Sequence, residues 1–222
     1  MSGPGDPTAE EFGAAYWEDR YRSGVGADKL DPSPSLVTDA GALRPGRALD
    51  AGCGVGGDAL WLAARGWHVV AVDVSRTALQ RGRQAAEAAG LAFAKRIEWV
   101  HADLTGWEPA PSAFDLVSSH YVHVPGPPEV LFGRLASWVA PGGSLLVVGH
   151  DGGQGDGHGS GHSRPVGAQV RTGQIVSSLP EEQWDILAAE ARTHTMQRPD
   201  GGGPVTLDDV VVHARRRTAP QP

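Results

Sequence analysis

The run Arg47-Ala48-Leu49-Asp50-Ala51-Gly52-Cys53-Gly54-Val55-Gly56-Gly57-Asp58 constrains this chain more than any other stretch. It reads as a short buried strand, a glycine loop, and then a helix rich in Ala, Leu and Trp. Gly52, Gly54 and Gly57 satisfy G-x-G-x-x-G, the pattern in which glycines let backbone approach a nucleotide closely. Glycine-rich turns also serve tight packing with no ligand, so the pattern needs support from its neighbours. From Arg47 onward strand-like and helix-like segments alternate, which implies a parallel sheet.

The support comes from acids. A dinucleotide places its pyrophosphate at such a loop and at the following helix N-terminus, where positive partial charge favours it. Asp50, two residues before the first glycine, would repel that pyrophosphate. It suits a ligand carrying an ammonium or sulfonium, and S-adenosylmethionine is such a ligand. The apolar run Trp67 to Asp73 ends in a second carboxylate, about 20 residues beyond the loop, the spacing at which an acid reaches ribose hydroxyls. Ile97 to Leu104 gives a third strand ending at Asp103, an acceptor for an adenine amine. Each acid taken alone also fits a helix cap. Three at consecutive strand ends share the sheet edge where open α/β folds bind ligands. The expected cofactor set is Asp50, Gly52, Cys53, Gly54, Asp73, Val74, Asp103 and Leu104.

With these residues in place, the chain resembles the class I S-adenosylmethionine-dependent methyltransferases from roughly Phe12 to Arg216. Within them it is similar to the small-molecule branch of tellurite-resistance and thiopurine methyltransferases. The carrying residues are Tyr16-Trp17-Glu18-Asp19-Arg20-Tyr21, the glycine loop, Asp58 to Ala63, Ala71 to Ser75, Ala102-Asp103-Leu104, Phe114 to Val117, and the turn Leu135 to Gly143. The resemblance implies a Rossmann-like, doubly wound α/β fold. Its sheet would be mainly parallel and seven-stranded, with a C-terminal antiparallel hairpin.

At 222 residues the chain suits a single α/β domain, large enough to need no disulfides. Cys53 is the sole cysteine, so a reducing cytosol is the simpler setting, and its expected role is packing. No segment approaches the roughly 18 apolar residues of a membrane span. Met1 to Pro7 lacks the basic and apolar regions of a signal peptide, so a cytoplasmic location is expected. The formal net charge is -7, with no basic stripe before Arg215-Arg216-Arg217. Phosphate contacts need clustered Lys and Arg, so the charge argues against nucleic acid as acceptor. The three arginines read as a solvated strand end. Nothing in the sequence fixes an oligomeric state.

Residues 1–10 are expected to be disordered, 11–216 to form one domain, and 217–222 to be a tail. Within the domain, residues 11–45 form an N-terminal helical lid. Helices are expected over Glu11 to Arg22, Ser35 to Ala42, Gly57 to Arg65, Ser75 to Ala89 and Pro127 to Val139. Ser75 is a natural N-cap and Gly90 a natural stop. Phe114 to Ser119 and Ser144 to Gly149 read as strands, and Gln169 to Leu179 as a short helix. Trp184 to Met196 contains good helix formers, but the resemblance implies a strand paired with Thr206 to Arg215.

The acceptor side follows the fourth strand, in Ser118 to Pro125. His120 reads as a cofactor contact or as a base taking a proton from the acceptor, since histidine titrates near neutral pH. Filling the loop is the competing role, and packing is expected of Tyr121 and His123. Trp17 could fold over the cofactor with Tyr16 and Tyr21 as a lid, and Arg20 could bind an anionic group on either ligand. Plain aromatic packing on an amphipathic helix is the alternative. DNA amino-methyltransferases carry an Asn/Asp-Pro-Pro-aromatic tetrapeptide here, which this chain lacks.

The stretch 150–165 is rich in glycine and histidine and reads as a mobile substrate loop, with His150 facing the acceptor pocket. Asp156, His158 and His162 offer metal-ligand chemistry but no preformed geometry, so no metal site is assigned. Methyl transfer from a sulfonium needs mainly alignment. The expected activity is therefore methylation of a small molecule with S-adenosylmethionine. Detoxification of tellurite or thiols, an NAD-dependent oxidoreductase and a non-catalytic S-adenosylmethionine-binding protein are the rival readings.

Overall fold

Strand β1 (Arg47–Ala51) runs parallel to β2 (His68–Asp73) on one side and to β4 (Phe114–His120) on the other. β3 (Ile97–His101) lies parallel beyond β2, and β5 (Val139–Asp151) parallel beyond β4. β8 (Val205–Arg216) turns back antiparallel on β5 and carries β7 (Trp184–Met196) antiparallel on its far side. The order β3-β2-β1-β4-β5-β8-β7 is the expected seven-stranded sheet, and a two-residue β6 (Gln169–Val170) is added on β5. This computed structural model describes residues 12–24, 30–151, 169–196 and 205–218. The expected tail beyond 218, the disordered start and the loop residues Asp156, His158 and His162 lie outside the described residues.

Alternation along the strands splits the apolar core between the two faces. Leu49, Val70, Val117, Leu145 and Val147 face helices α6 (Pro128–Trp138) and α7 (Thr172–Ser177). Ala48, Val69, Ala71, Leu116, Leu146 and Val148 face α2 (Pro34–Ala40), α3 (Gly57–Ala64) and α4 (Arg76–Ala89). Trp138 anchors the first core at 1% exposure and Trp67 the second at 2%, each burial worth about 2–3 kcal/mol. Asp50 and Ser118 lie side by side across the β1–β4 ladder, so the second face carries them toward α3.

The elements start where local chemistry dictates. Ser75 caps α4 by accepting from the Ala78 amide at 3.1 Å, and Gly90 ends it with φ 130°. α1 (Ala14–Arg22) has two arginines in its last turn, which complements the helix dipole.

Four elements differ from the sequence expectation. Gln169 to Leu179 divides into β6 and α7, because pairing with His150 and Asp151 claims its first residues. β5 starts at Val139, through Pro141-Gly142-Gly143, with a register shift opposite Phe114 and Leu116. A four-residue helix α5 (Leu91–Ala94) follows Gly90. Arg216 is not a solvated end: its Nη1 donates to Ser112 Oγ at 3.0 Å and to Val139 O at 2.5 Å, pinning β8 to the start of β5.

Candidate cofactor and acceptor site

The glycine loop is tied to the end of β2. Gly52 and Cys53 amides both donate to Val72 O at 2.8 and 2.9 Å, and the Gly54 amide donates to Asp73 Oδ2 at 2.8 Å. Asp73 Oδ1 accepts from the Ser75 amide at 2.8 Å, across Val74. Gly52 and Gly54 hold φ of 75° and 54°, in the left-handed region. A Cβ at Gly52 would overlap the Val122 side chain, and one at Gly54 would stand 2.5 Å from the Tyr21 hydroxyl. The loop is therefore a backbone cradle with neighbours close on its open side.

Beneath it lies a buried polar group. Asp50 is 3% exposed, and its Oδ2 is buried with no hydrogen-bond partner among the described residues. Burial first, then the Asp58 and Asp73 charges, push its carboxyl well above the usual carboxylate range. Burial also pushes the Cys53 thiol up, consistent with a packing role. Asp58, in the first turn of α3, accepts from the Ser33 amide at 2.6 Å and meets His120 Nδ1 in a very short contact. His120 Nε2 is buried without a hydrogen-bond partner among the described residues. Unpartnered polar atoms are rare in native interiors. Two of them at the carboxyl ends of adjacent strands β1 and β4 mark a place built for a polar or charged group. A cation bound there would favour the ionised form of Asp50 that burial opposes, and Asp50 would then complement it.

The other expected residues divide. Asp103 stands exposed at the end of β3, with its Oδ1 accepting from the Thr105 amide and hydroxyl at 2.8 and 2.7 Å. Leu104 is buried in the α6-side core.

α1 covers the loop. Glu18 accepts from Ser75 Oγ and Thr77 Oγ1, each at 2.7 Å, and from the Thr77 amide at 3.2 Å. Those bonds, the Thr77 hydroxyl first, hold its carboxyl down at about 2. Sequence reading placed Glu18 in the resembling motif without a partner; the Ser-x-Thr start of α4 was the available signal. Tyr21 reaches the glycine cradle, and burial followed by the Asp73 charge raises its phenol above the ordinary value. The Arg20 guanidinium makes no hydrogen bond or ion pair among the described residues, which leaves a cation beside the site.

A column of rings rises from β4 toward this helix. The Tyr121 and His150 rings are 4.7 Å apart, His150 and His123 6.0 Å, and His123 and Trp17 6.2 Å. Phe12 flanks His123 at 5.6 Å, and Trp17 Nε1 donates to His123 O at 3.3 Å. Tyr121 has φ 56°, uncommon for a bulky side chain, and its hydroxyl donates to the buried Asp209 at 2.5 Å. Sequence reading missed Asp209 and the pairing role of Asp58. Asp209 sits in a strand more than 80 residues from Tyr121 in sequence, at |i−j| = 88, so no local pattern announces it.

Burial, with Arg20 nearby, holds the His123 imidazole down at about 4 against an ordinary 6.5. A depressed histidine binds its proton first in the opened state. Its contribution to closure is therefore complete above about pH 6.5 and lost as pH falls toward 4. Amide hydrogen exchange in α1 should accelerate over that window, once corrected for intrinsic rates. A His123→Phe variant should lose the dependence. The Glu18 latch titrates lower, from 4.5 down to about 2.

Comparison with known proteins adds the following. A family model described as a methyltransferase domain matches residues 48–143, from β1 to the start of β5. A probable thiol methyltransferase 2 of Arabidopsis thaliana is 32% identical over 144 residues, covering 62% of this chain and 62% of that protein. Thiocyanate methyltransferase 1 of Brassica oleracea is 33% identical over 158 residues, covering 66% of this chain and 67% of that one. The chain thus spans 62 to 67% of the length of these relatives. In fold it is similar to a Burkholderia thailandensis 1,6-didemethyltoxoflavin N1-methyltransferase, a structure with bound S-adenosylhomocysteine. The TM-score is 0.65 at 20% identity, with 98% of this chain and 93% of that one covered.

Proposed function

Because this chain belongs to the class I S-adenosylmethionine-dependent methyltransferases, we propose that it transfers a methyl group to a small-molecule acceptor. The observation that supports this most is the buried, unpartnered Asp50 Oδ2 beneath a glycine cradle that is tied to Asp73. That donor set fits S-adenosylmethionine, whose cationic centres Asp50 would balance and whose ribose hydroxyls Asp73 would accept. When bound, the sulfonium supplies an activated methyl group and its own leaving group.

The chain's residues then bind, orient and enclose. Gly52, Cys53 and Gly54 bring backbone to the ligand, and Val74 and Leu104 would flank the adenine, with Asp103 accepting from its amine. His120, held by Asp58, stands at the end of β4, where the acceptor and the reactive end of the cofactor would meet. Trp17 closes the site from α1, and Arg20 would bind the ligand's carboxylate. Enclosure excludes water and holds the reacting atoms in line, which is most of what this reaction needs.

A sulfur acceptor is the second reading, favoured by the relatives named as thiol and thiocyanate methyltransferases. Asp50 speaks against a bound pyrophosphate and so against an NAD-dependent oxidoreductase. The net charge of -7 disfavours nucleic acid, and no helix of the described residues is long and apolar enough to cross a membrane.

Calorimetry tests the cofactor reading directly. S-adenosylmethionine and S-adenosylhomocysteine are expected to bind at micromolar concentration, and NAD not at all. Binding of NAD alone would overturn it.

A further inference from the structure

We propose a second binding site at the amino-terminal edge of the parallel strands, in the cavity between the loop after α2 and the near ends of β5, β7 and β8. It takes a small organic oxyanion with an apolar body. The glycine cradle lies at the opposite edge of the sheet. At about 3.3 Å per residue, the steps along β1 from Gly46 to Asp50 separate the two by about 13 Å. The proposal therefore stands independently of the methyltransferase reading.

Four observations carry it. The first is space. The cavity measures about 510 Å³, with the loop through Leu43 and Arg44 on one side and Gly142-Gly143 at the start of β5 on another. That is a size typical of small-molecule sites.

The second is charge. Arg44 and Arg215 line the cavity, and neither guanidinium makes a hydrogen bond or ion pair among the described residues. Asp115 is the one carboxylate among the described lining residues. Its Oδ2 accepts from the Arg47 amide at 2.8 Å, and a Cβ at Gly46 would overlap the carboxylate. Two unengaged cations thus stand against one tethered anion, in a chain whose formal net charge is -7. Guanidinium N–H groups match carboxylate and phosphate oxygens, so an oxyanion is what this place selects.

The third is a bulge in β7. Ile186 pairs with Ala214 and Ala188 with His213, which leaves Leu187 without a partner in the ladder. A bulge re-aims a side chain, and Leu187 joins the cavity wall with 55% of its surface exposed. With Leu43 and Trp67 it gives an apolar surface that a bare inorganic anion would leave unused.

The fourth is the indole of Trp67. This residue is only 2% exposed and borders the cavity, yet its N–H makes no hydrogen bond among the described residues. A buried indole N–H ordinarily finds an acceptor. An oxyanion in the cavity would supply one.

The test is calorimetry on the full chain, with S-adenosylhomocysteine in excess to keep probes out of the glycine cradle. The probes are octanoate, octyl phosphate, octanol, octylammonium and sulfate. Octanoate or octyl phosphate should bind at submillimolar concentration, and the tighter of the two tells a carboxylate from a phosphate ester. Octanol, octylammonium and sulfate each lack one of the two features and should bind at least about tenfold more weakly. Arg44→Gln and Arg215→Gln should each weaken the anionic probes by about tenfold, the effect of one lost charge-assisted bond. Both arginines are exposed, so these variants should keep the wild-type melting temperature. Leu187→Asp should abolish binding of both anionic probes. In heteronuclear NMR, octanoate should shift the Trp67 indole N–H resonance. The arginine variants locate the probe whether or not an adenosyl ligand binds, so failure of the cofactor reading leaves this test intact.

Three results would overturn the proposal. One is no anionic octyl probe binding at submillimolar concentration. Another is octanol, octylammonium or sulfate binding as tightly as octanoate. The third is anionic binding that both arginine variants leave unchanged. A dimer that Leu187→Asp dissolves, with no probe bound, would give this face to a second copy of the chain and overturn the proposal in the same way.

Discussion

Replacing Asp73 with alanine is expected to weaken S-adenosylmethionine binding by at least about 100-fold, equivalent to about 2.7 kcal/mol. The carboxylate does two things at once. It accepts the Gly54 and Ser75 amides at 2.8 Å each, fixing the glycine loop against the start of α4. It also stands where ribose hydroxyls would arrive in the proposed complex. Alanine removes both functions and leaves two enclosed amides without acceptors. Each unsatisfied group costs about 1–3 kcal/mol, so a fall in melting temperature should accompany the lost affinity. Asparagine separates the two effects. It keeps one carbonyl oxygen for one amide and should recover part of the stability, but its NH2 group would face the other donor. Affinity should then stay well below wild type. Calorimetry and thermal unfolding on the same samples decide the matter; wild-type affinity in Asp73→Ala would remove Asp73 from the cofactor site.

The parts that could be read from sequence are those whose chemistry is local. The glycine loop, the acids at the ends of β1, β2 and β3, and the Ser75 cap each sit within a few residues of the pattern that announces them. The resemblance supplied the C-terminal hairpin, because Leu187 to Ala191 favour helix and only pairing along β8 makes them a strand. Contacts between distant segments were hidden. Glu18 meets Thr77 across |i−j| = 59, His120 meets Asp58 across 62, and Tyr121 meets Asp209 across 88. Each joins segments far apart in the chain, and no periodicity encodes such a meeting. Tyr121 and His123 were expected to pack, and they do pack, against each other's neighbours. What the sequence did not show is that the packing partners are His150, Trp17 and a buried carboxylate.

Deleting residues 1–24 should have the largest effect on activity and a small one on the fold. α1 itself contributes no buried residue, neither sheet-face core includes the segment, and its one described buried side chain is Phe12, packed on His123 and Tyr16 rather than on the sheet. Ser75 still caps α4 without it, through the Ala78 amide. The melting temperature should therefore fall by only a few degrees. The proposed site, in contrast, loses Trp17 over the ring column, the Arg20 charge and the Tyr21 contact with the cradle together. Opening it to water and releasing the ligand's anionic end should lower kcat/KM by about 1,000-fold, or about 4 kcal/mol. Glu18→Ala tests the same latch more gently. The helix stays in the chain but loses its bonds to Ser75 and Thr77, so a loss of about tenfold, mostly in KM, is expected. The ordering of the two variants carries the argument, because a helix that merely packs would cost stability in proportion to activity. Unchanged turnover in the truncated chain, measured with an acceptor that the full chain methylates, would rule out the lid.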